Sequence, residues 1–360
     1  MYNRAGLLVP GLLLVALFSE GLAQGQPCTN PIGQSGICVS LRECQPLLNI
    51  YSKPVITPDE SNFIQSSRCA SAAGGRALVC CAGLTAAAGK ATLLKPPNCG
   101  RELSNRIFGG QETDLDEFPW TALIRYRKPN GQFGFHCGGA LINARYVVTA
   151  AHCIDAIPRG WQVVSVRVGE HDLSNNGQDC KDDVCADVPV DLGVSKIIVH
   201  QEYNPQVKSQ YNDIALIRFD RDVSFSVYVQ PICLPVDEPE RSRNNVGTKA
   251  TAAGWGRTET ASSSQVKLKV ELDITDLARC SSIYRPSGLS IRDTQLCAGG
   301  KKGEDTCSGD SGGPLMKRVK SNFFLFGIVS FGPNKCGTKD VPGVYTNVAK
   351  YIDWIENNME

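Results

Sequence analysis

From residue 120 onward the chain alternates short apolar runs with turn residues. The runs are Trp120–Tyr126, Gly139–Val148, Trp161–Val168, Ile197–Val199, Ile214–Phe219, Lys249–Ala253, Leu325–Ser330 and Gly343–Val348. Their length and spacing predict the antiparallel strands of a barrel or sandwich, not a parallel sheet with helical crossovers. A helical period stands out only at the end, where Val348, Tyr351, Ile352 and Ile355 fall on one face at three- and four-residue spacing. The pattern therefore reads as all-β with a C-terminal helix.

The N-terminal third differs. Arg4 precedes an apolar run from Leu7 to Phe18, and small residues follow at Gly21 and Ala23. This is the layout of a signal peptide over residues 1–23, cut after Ala23. The run is too short to span a bilayer and no later stretch approaches the length needed, so a secreted, soluble product with no membrane association is expected. No Asn-x-Ser/Thr sequon is present, so no N-glycan is expected. The 360 residues hold 16 cysteines but only 4 histidines and no Cys-x-x-Cys pair, which favours disulfides over zinc. Lysine and arginine total 37 against 36 acidic residues, and a net charge of +1 argues against a nucleic-acid footprint.

Residues 24–81 carry Cys28, Cys38, Cys44, Cys69, Cys80 and Cys81. So short a segment cannot bury enough apolar surface alone, and its cysteines predict a stapled module. Spacing does not select among the connectivities, although the adjacent Cys80 and Cys81 require two bridges to leave from one point, expected at a strand end. Residues 82–106 read as a linker and activation segment, rich in Ala and Gly and carrying Pro96-Pro97. It ends at Arg106 before Ile107-Phe108-Gly109-Gly110, an exposed cut site that would leave a hydrophobic new end.

Three short stretches carry chemistry. Ser311 stands in Cys307-Ser308-Gly309-Asp310-Ser311-Gly312-Gly313-Pro314, where glycines let backbone N–H groups crowd a reacting oxygen. His152 lies in Thr149-Ala150-Ala151-His152-Cys153, and Asp213 opens Asp213-Ile214-Ala215-Leu216. Taken singly, each has a bland reading: a polar turn, a structural histidine, a solvated strand-end carboxylate. Together they supply what a weak serine nucleophile requires, an imidazole to take its proton and a carboxylate to fix the imidazole's tautomer.

On these motifs the segment 107–360 resembles the chymotrypsin-fold serine proteases. The resemblance implies two six-stranded antiparallel barrels with the site between them, and Ser311, His152 and Asp213 as nucleophile, general base and orienting acid. It further implies an oxyanion hole from the N–H groups of Gly309 and Ser311. Asp305 would lie at the base of a primary pocket walled by Gly332 and Gly343, giving cleavage after Arg or Lys. Phe331 replaces the tryptophan usual in that wall and keeps it aromatic. Cleavage of Arg106–Ile107 would free an amine to pair with Asp310 and order the pocket. The implied bridges are Cys137–Cys153, Cys280–Cys297, Cys307–Cys336 and Cys99–Cys233, the last joining light and heavy chains after cleavage.

The N-terminal module resembles a clip domain, with implied bridges Cys28–Cys80, Cys38–Cys69 and Cys44–Cys81; this places the chain beside the arthropod clip-domain serine proteases. That likeness implies a zymogen secreted into haemolymph, acting in an immune (prophenoloxidase/melanisation or Toll) or developmental cascade. The implied partners are an upstream trypsin-like activator, serpin-type inhibitors, and as substrates prophenoloxidase, a Toll-ligand precursor or downstream clip proteases. A non-catalytic homologue serving as a cascade cofactor is the alternative; a digestive trypsin leaves residues 24–98 unexplained. Cys180 and Cys185 would pair within the loop 170–187. Hard cations want clustered oxygens, and Glu170, Asp172, Asn175 and Asp179 are the candidate ligands for a structural calcium. No cofactor is expected for the chemistry.

Overall fold

The computed structural model describes residues 25–51, 53, 56–71, 77–82, 92–101, 112–175, 177–181, 183–256, 261, 263–301, 309–333 and 337–360. The chain separates into two compact units, Met1–Gly89 and Lys90–Glu360. No described helix is long and apolar enough to cross a membrane.

The first unit is a four-stranded antiparallel sheet, β1 (Pro27–Thr29), β2 (Ser35–Ser40), β3 (Arg68–Ser71) and β4 (Ala77–Ala82), in the order β1-β2-β4-β3. Helices α1 (Gln45–Tyr51) and α2 (Pro58–Ser66) occupy the crossover between β2 and β3. Thr57 caps α2 by accepting the Glu60 N–H, while the Glu60 carboxylate accepts the Thr57 N–H and Pro58 fills the first turn. Bridges Cys28–Cys80, Cys38–Cys69 and Cys44–Cys81 staple the sheet. They stand in for a core that consists of little more than Val39, Leu47, Val79 and the buried cysteines.

The second unit holds two closed six-stranded barrels. The first is built from β5 (Thr121–Arg127), β6 (Phe133–Leu141), β7 (Tyr146–Thr149), β8 (Gln162–Val168), β11 (Val190–Val199) and β12 (Ala215–Phe219), with the two-stranded hairpin β9 (Cys180–Lys181) and β10 (Val184–Cys185) outside it. The second is built from β13 (Lys249–Gly254), β14 (Leu268–Thr275), β15 (Gln295–Ala298), β16 (Pro314–Val319), β17 (Asn322–Phe331) and β18 (Gly343–Asn347). The short helix α3 (His152–Asp155) follows β7, and α4 (Leu277–Tyr284) is capped by the Asp276 carboxylate accepting the N–H groups of Ala278 and Arg279. At the C-terminus a 3-10 turn, Val348–Lys350, leads into α5 (Ile352–Asn358), which buries Ile352 and Ile355.

The run Gly139–Val148 is two strands, because Asn143 accepts the N–H groups of Arg145 and Tyr146 and turns the chain back. Leu268–Thr275, Gln295–Ala298 and Pro314–Val319 are strands beyond those the apolar runs predicted. One core runs through both barrels: Trp120, Tyr126, Val148, Ile214 and Leu216 belong to the same buried cluster as Met316, Leu325 and Ile328. Four bridges lie among the described residues of this unit: Cys99–Cys233, Cys137–Cys153, Cys180–Cys185 and Cys280–Cys297. Cys307 and Cys336 lie outside the described residues.

Candidate active site

His152 and Asp213 come from neighbouring strands of the first barrel. β7 pairs with β12 so that Thr149 faces Ala215. The chain then turns at Ala150-Ala151 into α3, which begins with His152. Asp213 precedes β12 and is fully buried. Its carboxylate meets His152 Nδ1 at 2.8 Å through Oδ2 and accepts the His152 backbone N–H at 2.8 Å through Oδ1. Ser330, on β17 of the other barrel, donates its hydroxyl to the same Oδ2 at 2.5 Å, and Thr346 Oγ1 donates to the Asp213 carbonyl at 2.7 Å. Asn212 takes a left-handed φ of 56°, which Asn tolerates better than most residues, and its side chain accepts from Tyr351 Oη at 2.8 Å. Burial works to lower the His152 pKa, but the charge and hydrogen bond of Asp213 outweigh it, and the imidazole is held above its ordinary value.

The turn carrying Ser311 is fixed by backbone hydrogen bonds from both barrels. Gly138 N–H donates to the Ser311 carbonyl at 2.8 Å, Gly312 N–H to Val329 at 2.9 Å, and Gly313 N–H to Asp310 at 2.8 Å. Gly312 has φ +77°, and a Cβ there would lie 2.2 Å from Thr149 Oγ1 and 2.6 Å from the Gly138 carbonyl, so only glycine fits. No hydrogen bond joins the Ser311 hydroxyl to His152 among the described residues. That does not disqualify the pair, since such contacts are often long in uncomplexed sites. Gly309, the other candidate oxyanion donor, takes φ +103°. Asp310 turns its carboxylate to Gly256, whose N–H donates to Oδ1 at 2.9 Å.

Gly332 and Gly343 face one another: a Cβ on Gly332 would lie 3.8 Å from Gly343 Cα. Phe331 meets Tyr284 edge-on, with ring centroids 5.8 Å apart. Asp305, Arg106 and Ile107 lie outside the described residues. The motifs do not point to Ser330, Thr346 or Asn212; the sequence signal for Ser330 is its place in Ser330-Phe331-Gly332, next to the pocket wall.

Of the candidate calcium ligands, Glu170 and Asp179 converge and are buried. The His171 N–H donates to Glu170 Oε1 at 2.9 Å and to Asp179 Oδ2 at 3.0 Å. Burial, reinforced by Asp179, raises the Glu170 pKa although Arg167 Nη1 lies 3.0 Å away. All four oxygens of the pair accept protein donors: Glu170 Oε1 the His171 N–H and Oε2 Arg167 Nη1, Asp179 Oδ2 the N–H groups of His171 and Asp172 and Oδ1 Asn175 Nδ2. The other side chains are engaged locally: Asp172 accepts the Ser174 N–H at 2.9 Å, and Asn175 donates Nδ2 to Asp179 at 2.9 Å and accepts the Gly177 N–H at 2.8 Å. Cys137, His152 and Cys153 also cluster, but the sulfurs are bonded to each other and are not thiolate ligands.

Comparison with known proteins agrees with this fold. Residues 107–355 match the family model described as Trypsin, and residues 28–81 the model described as Regulatory CLIP domain of proteinases. The CLIP domain-containing serine protease B4 of Anopheles gambiae is 56% identical over 353 residues, covering 98% of this chain and 97% of that one. Melanization protease 1 of Drosophila melanogaster is 39% identical over 371 residues, covering 92% of each. Among solved structures, the Drosophila Grass clip serine protease of the Toll pathway superposes with a TM-score of 0.65 at 33% identity, covering 93% of this chain and 97% of that one.

Proposed function

Because the chain belongs to the trypsin family of serine proteases and carries that family's regulatory clip domain, we propose that it is a secreted zymogen of a trypsin-like endopeptidase. The observation that carries this reading is the His152–Asp213 pair, closed by Ser330 from the second barrel beside the glycine-tight Ser311 turn. In the proposed reaction Ser311 Oγ bonds to the scissile carbonyl carbon as His152 takes its proton. His152 then delivers that proton to the leaving amine, the C–N bond breaks, and water releases the acyl group by the same route. Asp213 holds the imidazole and stabilises its charged form, while the N–H groups of Gly309 and Ser311 receive the oxyanion. Family members need no cofactor for this chemistry.

In the same reading, Asp305 at the base of the slot between Gly332 and Gly343 selects Arg or Lys. Cleavage after Arg106 frees the Ile107 amine to pair with Asp310, which orders the pocket. Residues 1–23 direct secretion, residues 24–81 form the clip domain and residues 82–106 the linker. Glu170 and Asp179 hold a structural calcium, together with oxygens of Asp172 and Asn175. The relatives named for melanization and for the Toll pathway support a place in an extracellular cascade of the haemolymph. Its substrates there are pro-proteins: prophenoloxidase, a Toll-ligand precursor or a downstream clip protease. An upstream trypsin-like enzyme activates it and serpins stop it.

Labelling with an active-site fluorophosphonate tests the reading against a non-catalytic homologue. The intact chain should label weakly, the chain cleaved after Arg106 strongly at Ser311, and Arg106→Gln should stay silent in the presence of activator. A cleaved chain that neither labels nor hydrolyses an arginyl peptide would be the cofactor instead.

A further inference from the structure

Surface cations of the second unit commonly stand beside a carboxylate: Arg145 pairs with Asp222, Arg241 with Asp353 and Lys249 with Glu271. Three at one end of the first barrel do not. Among the described residues, no carboxylate lies within ion-pair distance of Arg127, Lys128 or Arg159. Arg127 gives its guanidinium to Gln162, and Lys128 rests over the Trp161 ring, with Nζ 5.0 Å from the centroid. The turn carrying Arg159 is pressed on the same hairpin: the Trp161 N–H donates to the Pro158 carbonyl at 3.1 Å, and a Cβ on Gly160 would lie 3.0 Å from Pro129 Cγ. Arg127 stands opposite Phe133 across β5 and β6, and Phe133 is 52% exposed. Three like charges held together without a counter-ion repel one another, and a surface built this way is complementary to an anion. β6 joins this patch to the nucleophile. Gly138, on that strand, donates its N–H to the Ser311 carbonyl at 2.8 Å, and Phe133 begins the same strand, about 17 Å away at strand rise. His136 lies between them, its ring centroid 4.5 Å from that of Trp161.

We propose that Arg127, Lys128 and Arg159 form a subsite for acidic side chains of a protein substrate, at the third to fifth residues beyond the cut. This rests on the reading that Ser311 is a protease nucleophile with its primary pocket between Gly332 and Gly343. Both glycines belong to the second barrel, Gly332 just after β17 and Gly343 at the start of β18. The residue before the cut is therefore held by the second barrel, and the chain after it departs toward the first, past Gly138 and along β6. An extended peptide covers about 10–17 Å in three to five residues, which brings those side chains to the patch. The rings of Phe133 and Trp161 keep water from one side of the cations, so a carboxylate bound there is less screened than one on an open surface.

The test uses the full chain cleaved after Arg106, with quenched fluorescent peptides cut after a single arginine. The first peptide carries Glu at the third to fifth positions beyond the cut and the second carries Gln there. The third carries Glu at the matching positions before the cut and Gln beyond it. Native enzyme should cleave the first with kcat/KM about tenfold above the second, mostly through KM, and the gap should close at high salt, as expected of a few exposed charge pairs. In the variant Arg127→Gln/Lys128→Gln/Arg159→Gln the first two peptides should be cleaved alike. An arginyl coumarin amide, which has no residue beyond the cut, should be hydrolysed by that variant at the native rate. Arg127→Lys/Arg159→Lys should keep the preference. Equal cleavage of the first two peptides by native enzyme at low salt, or a preference that survives the triple variant, would overturn the proposal. So would a gain on the third peptide that the variant abolishes, because it would put the acidic segment before the cut. If the cleaved native chain leaves the arginyl amide intact, the protease reading itself fails, an outcome separate from these.

Discussion

Ser330 Oγ and His152 Nδ1 meet on one oxygen, Asp213 Oδ2, at 2.5 and 2.8 Å. The first comes from the second barrel and the second from the first, so the two barrels are joined at the carboxylate that orients the base. Replacing Ser330 by Ala removes one donor from a buried carboxylate and leaves His152 as its partner. Hydrogen bonds to charged groups contribute about 1.5–3 kcal/mol. Part of that should be recovered by rearrangement, so kcat/KM of the activated enzyme should fall roughly tenfold, about 1.4 kcal/mol. Thermal unfolding would show whether the loss is catalytic or global.

The His152–Asp213 pair sets the acid side of the pH profile. Burial alone would lower the imidazole pKa; Asp213 more than offsets this, so the base is protonated at a higher pH than a free histidine. The acid limb of kcat/KM should therefore lie above 6.5, the unperturbed value. Asp213→Asn should move that limb below it, because burial is left unopposed. It should also drop kcat by roughly 10⁴-fold, the loss known for triads of this kind. The stability sign follows. A raised folded pKa adds stability below the unfolded pKa and loses it as pH rises through the folded one. The native enzyme should thus lose that increment on passing upward through the pH of the limb, and the Asn variant should not.

The barrels were legible in the sequence because strands with one face on a core show as short apolar runs, and most of the runs named are strands or parts of strands. β16 was not seen because Pro314 and the pair Lys317-Arg318 hide a strand whose first three residues are buried. β14 carries a plain alternation, Leu268, Val270, Leu272, Ile274, yet its N-terminal half is only partly buried and reads as amphipathic surface. In the clip unit, Thr57-Pro58-Asp59-Glu60 is a legible helix start, a capping box with Pro in the first turn. At the site, motifs find residues that react and overlook those that hold them. Asn212 matters through a left-handed backbone, and Thr346 through a carbonyl 133 residues away in sequence.

Gly312 offers a steric test of the nucleophile turn. An alanine methyl would collide with Thr149 Oγ1 at 2.2 Å and with the Gly138 carbonyl at 2.6 Å, and the φ of +77° would be strained besides. Gly312→Ala should fail to label with a fluorophosphonate and should be destabilised by about 1–3 kcal/mol in denaturant unfolding. Thr149→Ala should not rescue it, because the Gly138 carbonyl remains in the way.

Calcium should matter to stability more than to chemistry. The Glu170 and Asp179 carboxylates share the His171 N–H, and burial with Asp179 raises the Glu170 pKa. A cation between them would relieve that repulsion and stabilise the fold by mass action, about 2.7 kcal/mol at a hundredfold excess over Kd. Chelation should lower the melting temperature by roughly 5 °C, reversibly on adding calcium. In Glu170→Gln the melting temperature should no longer respond to either treatment. An unchanged response would assign the metal to other ligands.

The Cys99–Cys233 bridge should keep the cleaved chain in one piece, and its surroundings imply a second hold. Both cysteines are fully buried. The segment beside Cys99 is woven into the second unit: Gly100 N–H donates to the Pro231 carbonyl at 2.8 Å, Phe323 N–H to the Gly100 carbonyl at 2.7 Å, and Asn322 Nδ2 to the Cys99 carbonyl at 2.7 Å. After cleavage at Arg106 a denaturing gel should show one band without reductant and two with it. In the variant Cys99→Ala/Cys233→Ala the two pieces should separate on a denaturing gel without reductant, yet co-elute on gel filtration under native conditions, because the backbone hydrogen bonds and the buried Leu93 remain. Separation under native conditions would mean that the disulfide alone holds the clip-bearing chain to the protease.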